Sequence, residues 1–408
     1  MSLLTQADNI FENRSVLSNK YIPDKLLGRE EEIEYVERLV EPLVHDADPL
    51  NSFITGFTGI GKTVVVRHVM KTLRQVITDM KLYTVIVNCK VSNTEARVLY
   101  DLLRIIAPER NLPKTGISIP QYYDVFWDVL KSQKVAVVVV LDEVDNLKNY
   151  DVLYSLSRSV QFIDNPEDVL LGTICVTNDM HYYEKLSPAV TSSFGNRNYI
   201  FKPYHADQII EILNDRAALA FKPNVLDEWV IPLCAAFAAQ ENGDARMAIE
   251  LLYHAGLAAK EEGARKVTEK HVRIAQIKLT EDKIAEMIST LPFHVQMVLY
   301  VIAKYKAAPE QSSLTTGKVE ERYVELCRIM SKDPLTRTSI SKMITKLETA
   351  GLISTAKRTE EKGGITRSIY MSPEYVRKVP KVLEFNPLFE NIPGGGTTVP
   401  FSYQKKFI

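Results

Sequence analysis

Through the first 203 residues, short β-branched runs alternate with helix-spaced segments. The runs are 52–55, 83–88, 135–141, 170–177 and 198–202. Strands joined through helical connections predict a parallel sheet covered by helices on both faces. After Pro203 the period changes, and segments 206–220, 226–240, 244–260 and 269–286 carry apolar residues three and four apart. They read as an all-helical second unit. From about residue 280 a third section begins, with helices near 292–305, 317–331 and 338–350, then extended runs at 352–357 and 366–371 joined by a turn at 360–364. Three helices and a β-hairpin in that order predict a winged helix-turn-helix. The expected fold class is α/β: a parallel-sheet core over 1–203, an all-α domain over 204–280, a winged helix over 281–379, and an irregular tail over 380–408 containing Pro380, Pro387, Pro393, Pro400 and three consecutive glycines.

Composition narrows the classes. With 408 residues, 46% hydrophobic and 25% charged, the chain is long enough for two or three cores, and disorder, collagen-like repeats and disulfide scaffolds are excluded. The longest apolar run is far too short to span a bilayer, and residues 1–14 lack a secretion signal's basic-then-apolar plan, so a cytoplasmic protein without a membrane partner is expected. Four single cysteines, at 89, 175, 234 and 327, fit reduced core thiols.

Chemistry concentrates at the strand ends. Gly56-Phe57-Thr58-Gly59-Ile60-Gly61-Lys62-Thr63 is a complete phosphate-loop motif that follows the first strand and opens a helix at Val64. Its backbone N–H groups would cradle phosphates, Lys62 would reach the outer ones, and Thr63 would offer its hydroxyl to Mg2+. The third strand delivers Asp142 and Glu143 at its carboxyl end, where parallel sheets bind ligands. Asp142 is expected in the metal shell and Glu143 as the group polarising the attacking water. Asp145 reads as a cap or flank of the next helix. Asn178, after the fourth strand, either orients the water, senses the γ-phosphate or simply forms a turn. Asp244 is a natural helix N-cap, and Arg246 then falls in a first turn where its charge opposes the helix dipole. A bound phosphate or a local pair with Asp244 would account for it equally.

These residues, in this order, resemble the archaeal relatives of the origin recognition complex large subunit and the cell-division-control initiator, which are AAA+ ATPases. The marks are Tyr21-Ile22-Pro23, Gly28-Arg29-Glu30, the Leu141-Asp142-Glu143-Val144-Asp145 box, Asn178, Phe201-Lys202-Pro203-Tyr204 with Arg216, and Gly243-Asp244-Ala245-Arg246, spread from about residue 13 to 371. The resemblance implies ATP or ADP with Mg2+ as cofactors. It puts Tyr21, Ile22, Pro23 and Arg29 by the adenine, Asn178 as first sensor, Tyr204 and Arg216 on the lid side of the nucleotide, and Arg246 as second sensor on phosphate. It makes the helical stretch 91–132 an initiator insertion whose loop, with Lys114, Thr115 and Gly116, touches DNA; the residues alone also allow a longer crossover with a surface loop. Family members usually carry an arginine serving a neighbouring subunit's nucleotide where this chain reads Ser187-Pro188-Ala189-Val190. Ala189 cannot serve, so a slow ATPase is expected.

Net charge is −1, from 50 basic and 51 acidic residues. Between 331 and 372, however, eight lysines and arginines face four acidic residues. Ile340, Met343, Ile344 and Leu347 predict the buried face of a recognition helix, leaving Arg337, Thr338, Ser339, Ser341, Lys342 and Thr345 outward, with Lys357, Arg358 and Arg367 in the wing. The expected function is an ATP-dependent replication initiator on duplex origin DNA, associated with the nucleoid, with nucleotide as a conformational switch and paralogous subunits and a replicative helicase as partners. A signalling or loader NTPase whose winged helix binds protein is the competing class.

Overall fold

The computed structural model describes residues 9–18, 20–131, 135–158, 169–307, 313–359, 365–384, 386 and 389. The chain divides into two compact units, 1–275 and 276–408. The first contains α1 (Glu30–Val40), β1 (Ser52–Thr55), α2 (Lys62–Val76), β2 (Lys81–Asn88), α3 (Glu95–Ile106), α4 (Ile119–Lys131), β3 (Val135–Asp142), α5 (Asp151–Ser157), β4 (Val169–Thr177), α6 (Pro188–Ser193), β5 (Asn198–Ile200), α7 (Ala206–Ala220), α8 (Val230–Gln240) and α9 (Ala245–Glu261). The division falls within α10 (Glu269–Ser289). The second unit continues with α11 (Phe293–Ala307), α12 (Thr316–Ile329), α13 (Arg337–Thr349), β6 (Ser354–Thr359), β7 (Ile365–Tyr370) and α14 (Pro373–Glu384).

The five-stranded sheet is parallel, in the order β2-β3-β4-β1-β5. β3 explains why the sheet needs cover on both faces: Val135, Val137, Val139 and Leu141 enter one core with α3, α4 and α5, while Ala136, Val138 and Val140 enter the other with α1 and α2. Each fully buried Val or Leu contributes about 1.5–3 kcal/mol. Register then decides the site. Thr55 pairs with Thr177 and Leu141 with Cys175, so β1, β3 and β4 stop nearly level. The phosphate loop, Asp142 and Asn178 therefore leave one edge of the sheet.

Most predicted boundaries shift by a residue or more, and two of the shifts have a visible cause. β5 ends at Ile200, although Phe201 N–H still donates to Thr55 O at 2.8 Å before Pro203, which has no N–H, ends the pairing. The helix expected from residue 226 begins at Val230, because Leu226 is bridged to Val267. All four cysteines are buried and free.

In the second unit three helices pack around Val298, Tyr323, Ile344 and Leu347, and β6 pairs antiparallel with β7, forming the expected winged helix. The wing turn at 360–364 and the Arg358 side chain lie outside the described residues. The chain expected to become irregular at Pro380 instead stays helical to Glu384. Val379 and Leu383, both fully buried, hold α14 to the core on either side of the proline, which outweighs its missing hydrogen bond. The rest of the proline- and glycine-containing tail, 390–408, lies outside the described residues. No helix among the described residues is long and apolar enough to cross a membrane.

Candidate nucleotide and nucleic-acid sites

β1 passes into a loop whose backbone only glycine adopts readily: φ is +81° at Gly59 and +91° at Gly61. A side chain at Gly59 would overlap the Asp244 carboxylate, and one at Gly61 would begin 2.9 Å from the Tyr204 hydroxyl. Ile60 is buried, Val64 half-buried and Thr58 exposed. Lys62 opens α2 and is 5% exposed. Its ammonium donates to Gly56 O at 2.7 Å, Phe57 O at 2.6 Å and Asn178 Oδ1 at 2.9 Å. Burial pushes its pKa down to about 8, against the pull of Asp142 and Asp145.

Thr63 Oγ1 donates to both carboxylate oxygens of Asp142, at 3.1 and 3.0 Å. Asp142 is buried, which raises its pKa, while the Thr63 hydroxyl and the Glu143 N–H oppose that rise. Among the described residues no group of three or more His, Cys, Asp or Glu side chains is placed to hold a metal alone. Magnesium carried by phosphates needs only one or two protein oxygens, so the Thr63–Asp142 pair fits it. The glycine cradle and the buried ammonium likewise fit a nucleotide's phosphates. When bound, the metal neutralises charge on the outer phosphates.

Glu143 follows in the left-handed region, at φ +55°. That conformation costs a non-glycine residue about 1–2 kcal/mol and turns Glu143 away from the course of β3. Asp145, read from sequence as a helix flank, has a different task. Its Oδ1 accepts from Thr177 Oγ1 at 2.9 Å and from Asn178 N–H at 3.2 Å, fixing Asn178 beside Lys62.

Tyr21 and Pro23 are half-buried and Ile22 is exposed. Arg29 is 2% exposed and wholly engaged by protein: Nε donates to Ile60 O at 3.0 Å, Nη1 to Glu32 at 2.6 Å, and Nη2 to Lys202 O at 2.9 Å. Its guanidinium carbon lies 3.6 Å from the Tyr204 ring centroid. Arg216 donates to Val16 O at 2.7 Å and Tyr21 O at 3.5 Å and stacks on Tyr21 at 4.3 Å. Both arginines brace backbone carbonyls distant in the chain. Asp244 accepts from Met247 N–H at 3.0 Å, so its carboxylate caps α9, and Arg246 stands exposed one residue into the helix, its charge felt at Lys62.

Lys114, Thr115 and Gly116 form an exposed loop between α3 and α4, anchored where Tyr122 Oη donates to Pro113 O at 2.8 Å. Ala189 is exposed on α6; Arg197 folds back to donate to Phe194 O at 3.4 Å. On α13, Ile340, Met343, Ile344 and Leu347 are buried as predicted. Arg337, Thr338 and Lys342 are exposed, and Ser339 and Ser341 are half-buried. Thr345, expected outward, is exposed and accepts from Arg367 Nη1 at 3.0 Å, which ties β7 of the wing to α13. Lys357 is exposed on β6.

Residues 46–176 match the AAA domain, 210–277 the Cdc6 AAA+ ATPase-type lid domain, and 286–377 the CDC6 C-terminal winged helix domain. An ORC1-type DNA replication protein 1 of Methanosarcina mazei is 37% identical over 383 residues, 92% of this chain and 91% of that one. The ORC1-type DNA replication protein of Pyrococcus abyssi is also 37% identical, over the same shares. The chain belongs to the ORC1-type DNA replication proteins. The Aeropyrum pernix ORC1 protein, solved in complex with DNA, superposes with a TM-score of 0.80 at 31% identity, covering 94% of this chain and 99% of that one. Cdc6p from Pyrobaculum aerophilum, at 21% identity, TM-score 0.59 and shares of 92% and 99%, has the same fold.

The resemblance read from motifs is thus correct, and the fold is that of an ORC1-type initiator: AAA+ core, helical lid, winged helix. Sequence reasoning missed Asp145 as the anchor of Asn178. Its one signal was its place two residues after Glu143 in the acidic box. For the struts made by Arg29 and Arg216, no signal existed, since their partners are backbone atoms distant in the chain.

Proposed function

We propose that this ORC1-type protein binds ATP and ADP with Mg2+ and docks on duplex origin DNA, the nucleotide acting as a conformational switch with slow hydrolysis. The observation that carries the reading is the convergence of Lys62, Thr63, Asp142 and Asn178 at one sheet edge, bonded to one another. In that reading Lys62 holds the outer phosphates, Thr63 and Asp142 hold the metal, Glu143 takes the proton of the attacking water, and Asn178 orients it. Tyr21, Ile22 and Pro23 line the adenine side, with Arg29 and Arg216 behind them, and Arg246 meets phosphate from the lid. The exposed Arg337, Thr338 and Lys342 enter a major groove, while Lys357, Arg358 and Arg367 in the wing and Lys114 to Gly116 in the insertion follow the backbone. Paralogous initiator subunits and the replicative helicase are the protein partners of this reading.

Footprinting on fragments of a genomic origin, with ATP and with ADP, tests it. Protection of a discrete duplex element whose strength differs between the nucleotides is expected; no protected duplex under either would end the origin assignment. Because Ala189 offers no charge to a neighbour, mixing the protein with a paralogous subunit should not raise that subunit's ATPase rate through this position. Ala189→Arg should raise it by about tenfold or more, arginine fingers being worth about 10³–10⁵ where fully engaged.

A further inference from the structure

The phosphate loop and the lid helix that carries Arg246 are joined at two points. At one, Arg29 donates to Ile60 O and lies against the Tyr204 ring, while the Tyr204 hydroxyl closes over Gly61. At the other, the Asp244 carboxylate rests on Gly59. Tyr204 and Asp244 are themselves joined through Gly243, where a side chain would begin 2.6 and 2.5 Å from the Tyr204 backbone N and O. Ile60, Arg29, Tyr204, Gly243, Asp244 and Gly59 thus form a closed ring of contacts.

We infer that this ring is a positioning device, in which Tyr204 and Asp244 set where Arg246 stands relative to the phosphates held by Lys62. The inference deepens the nucleotide-binding reading above and rests on it. Asp244 faces both ways: its carboxylate touches the phosphate loop and caps α9, so the first turn of the helix, Arg246 included, is registered to the loop. Arg246 does not serve its own helix, since a cation at an N-terminus is unfavourable. Arg29 is buried with three hydrogen-bond partners and Tyr204 is 8% exposed, so neither has another place to go. A shift of the loop then moves α9, and a shift of α9 moves the loop.

The test is a double-mutant cycle on the full chain, read as affinity for a fluorescent ADP analogue. Arg246→Ala should weaken binding by about tenfold in the wild type but by under about twofold in Tyr204→Leu, as coupled pairs are non-additive. Tyr204→Phe keeps the ring against Arg29 and should restore the full penalty. Should Tyr204→Leu fail to fold, Asp244→Gly does the same work, because glycine caps a helix nearly as well while removing the carboxylate from Gly59. In the nucleotide-free protein, hydrogen exchange in the first turn of α9 should quicken in Asp244→Gly and should not quicken in Arg246→Ala, which removes a cation from the helix N-terminus. Penalties that multiply in both backgrounds, or a wild-type Arg246→Ala penalty under about twofold, would overturn the inference. A Lys62→Ala variant that binds as tightly as wild type would sink the nucleotide reading itself, and the inference with it.

Discussion

Asp145 lies outside the phosphate loop and moves no proton in the proposed hydrolysis, yet it fixes the Asn178 backbone, accepting from Asn178 N–H and from the hydroxyl of the preceding Thr177. Replacing it should separate aiming from binding. Asp145→Ala is expected to lower the ATP hydrolysis rate by about tenfold while ADP affinity changes by under about twofold, since only an interaction strengthened in the transition state is lost; single-turnover hydrolysis beside equilibrium binding checks both. The residues to which the proposed hydrolysis assigns chemistry were legible because phosphate loops and strand-end carboxylates are written contiguously, as Lys62 and Thr63 are and as Asp142 and Glu143 are. Arg29 and Arg216 were legible as residues but not in what they do. Arg29 reaches Lys202 O across 173 positions and Arg216 reaches Val16 O across 200. A backbone carbonyl accepts whatever its residue type, so no spacing announces such a partner.

Among the elements, α13 followed its sequence closely, because its four apolar positions at three- and four-residue intervals leave one possible buried face. Its N-terminus rests on Thr336, whose hydroxyl accepts from Ser339 N–H at 3.4 Å. Thr336→Ala should cost about 1 kcal/mol of stability in chemical denaturation and loosen the turn that carries Arg337. α14 was illegible because Pro380 argues for a break, and only the burial of Val379 and Leu383 shows why none occurs. At the end of α9, Glu262 accepts from Lys270 and from His271 at 2.9 Å, while Thr268 N–H donates to His271 Nδ1 at 2.9 Å. The hydrogen bonds from Lys270 and then His271 hold the Glu262 carboxyl below its usual value of 4.5. A depressed carboxylate stabilises the fold above its unfolded pKa and loses that contribution as pH falls through the folded one. The unfolding midpoints of wild type and Glu262→Gln should therefore differ at neutral pH and converge as pH falls below 4.5 and through the depressed pKa of Glu262.

For the whole molecule, a net charge of −1 coexists with a winged helix whose α13 exposes cations, so a near-neutral total does not argue against the proposed docking on DNA. Arg337 also meets Glu320 at 3.4 Å, but at 78% exposure such a pair is worth about 0–1 kcal/mol and yields readily to phosphate. Each phosphate contact releases about 0.9 counterion from B-DNA, so Arg337→Ala combined with Lys342→Ala should flatten the slope of log affinity against log salt by about 2. An unchanged slope would remove both from the interface. The sheet order carries a last consequence, in time rather than space. β1, which leads into the phosphate loop, has no partner nearby in the chain: Ser52 pairs with Ile174 and Phe53 with Asn198. Pairing across so many residues is slow and waits for the later strands. During synthesis, a chain that has not yet reached β4 holds the phosphate-loop sequence without the strand that pairs with β1, whereas the winged helix is a later unit of the chain with its own core.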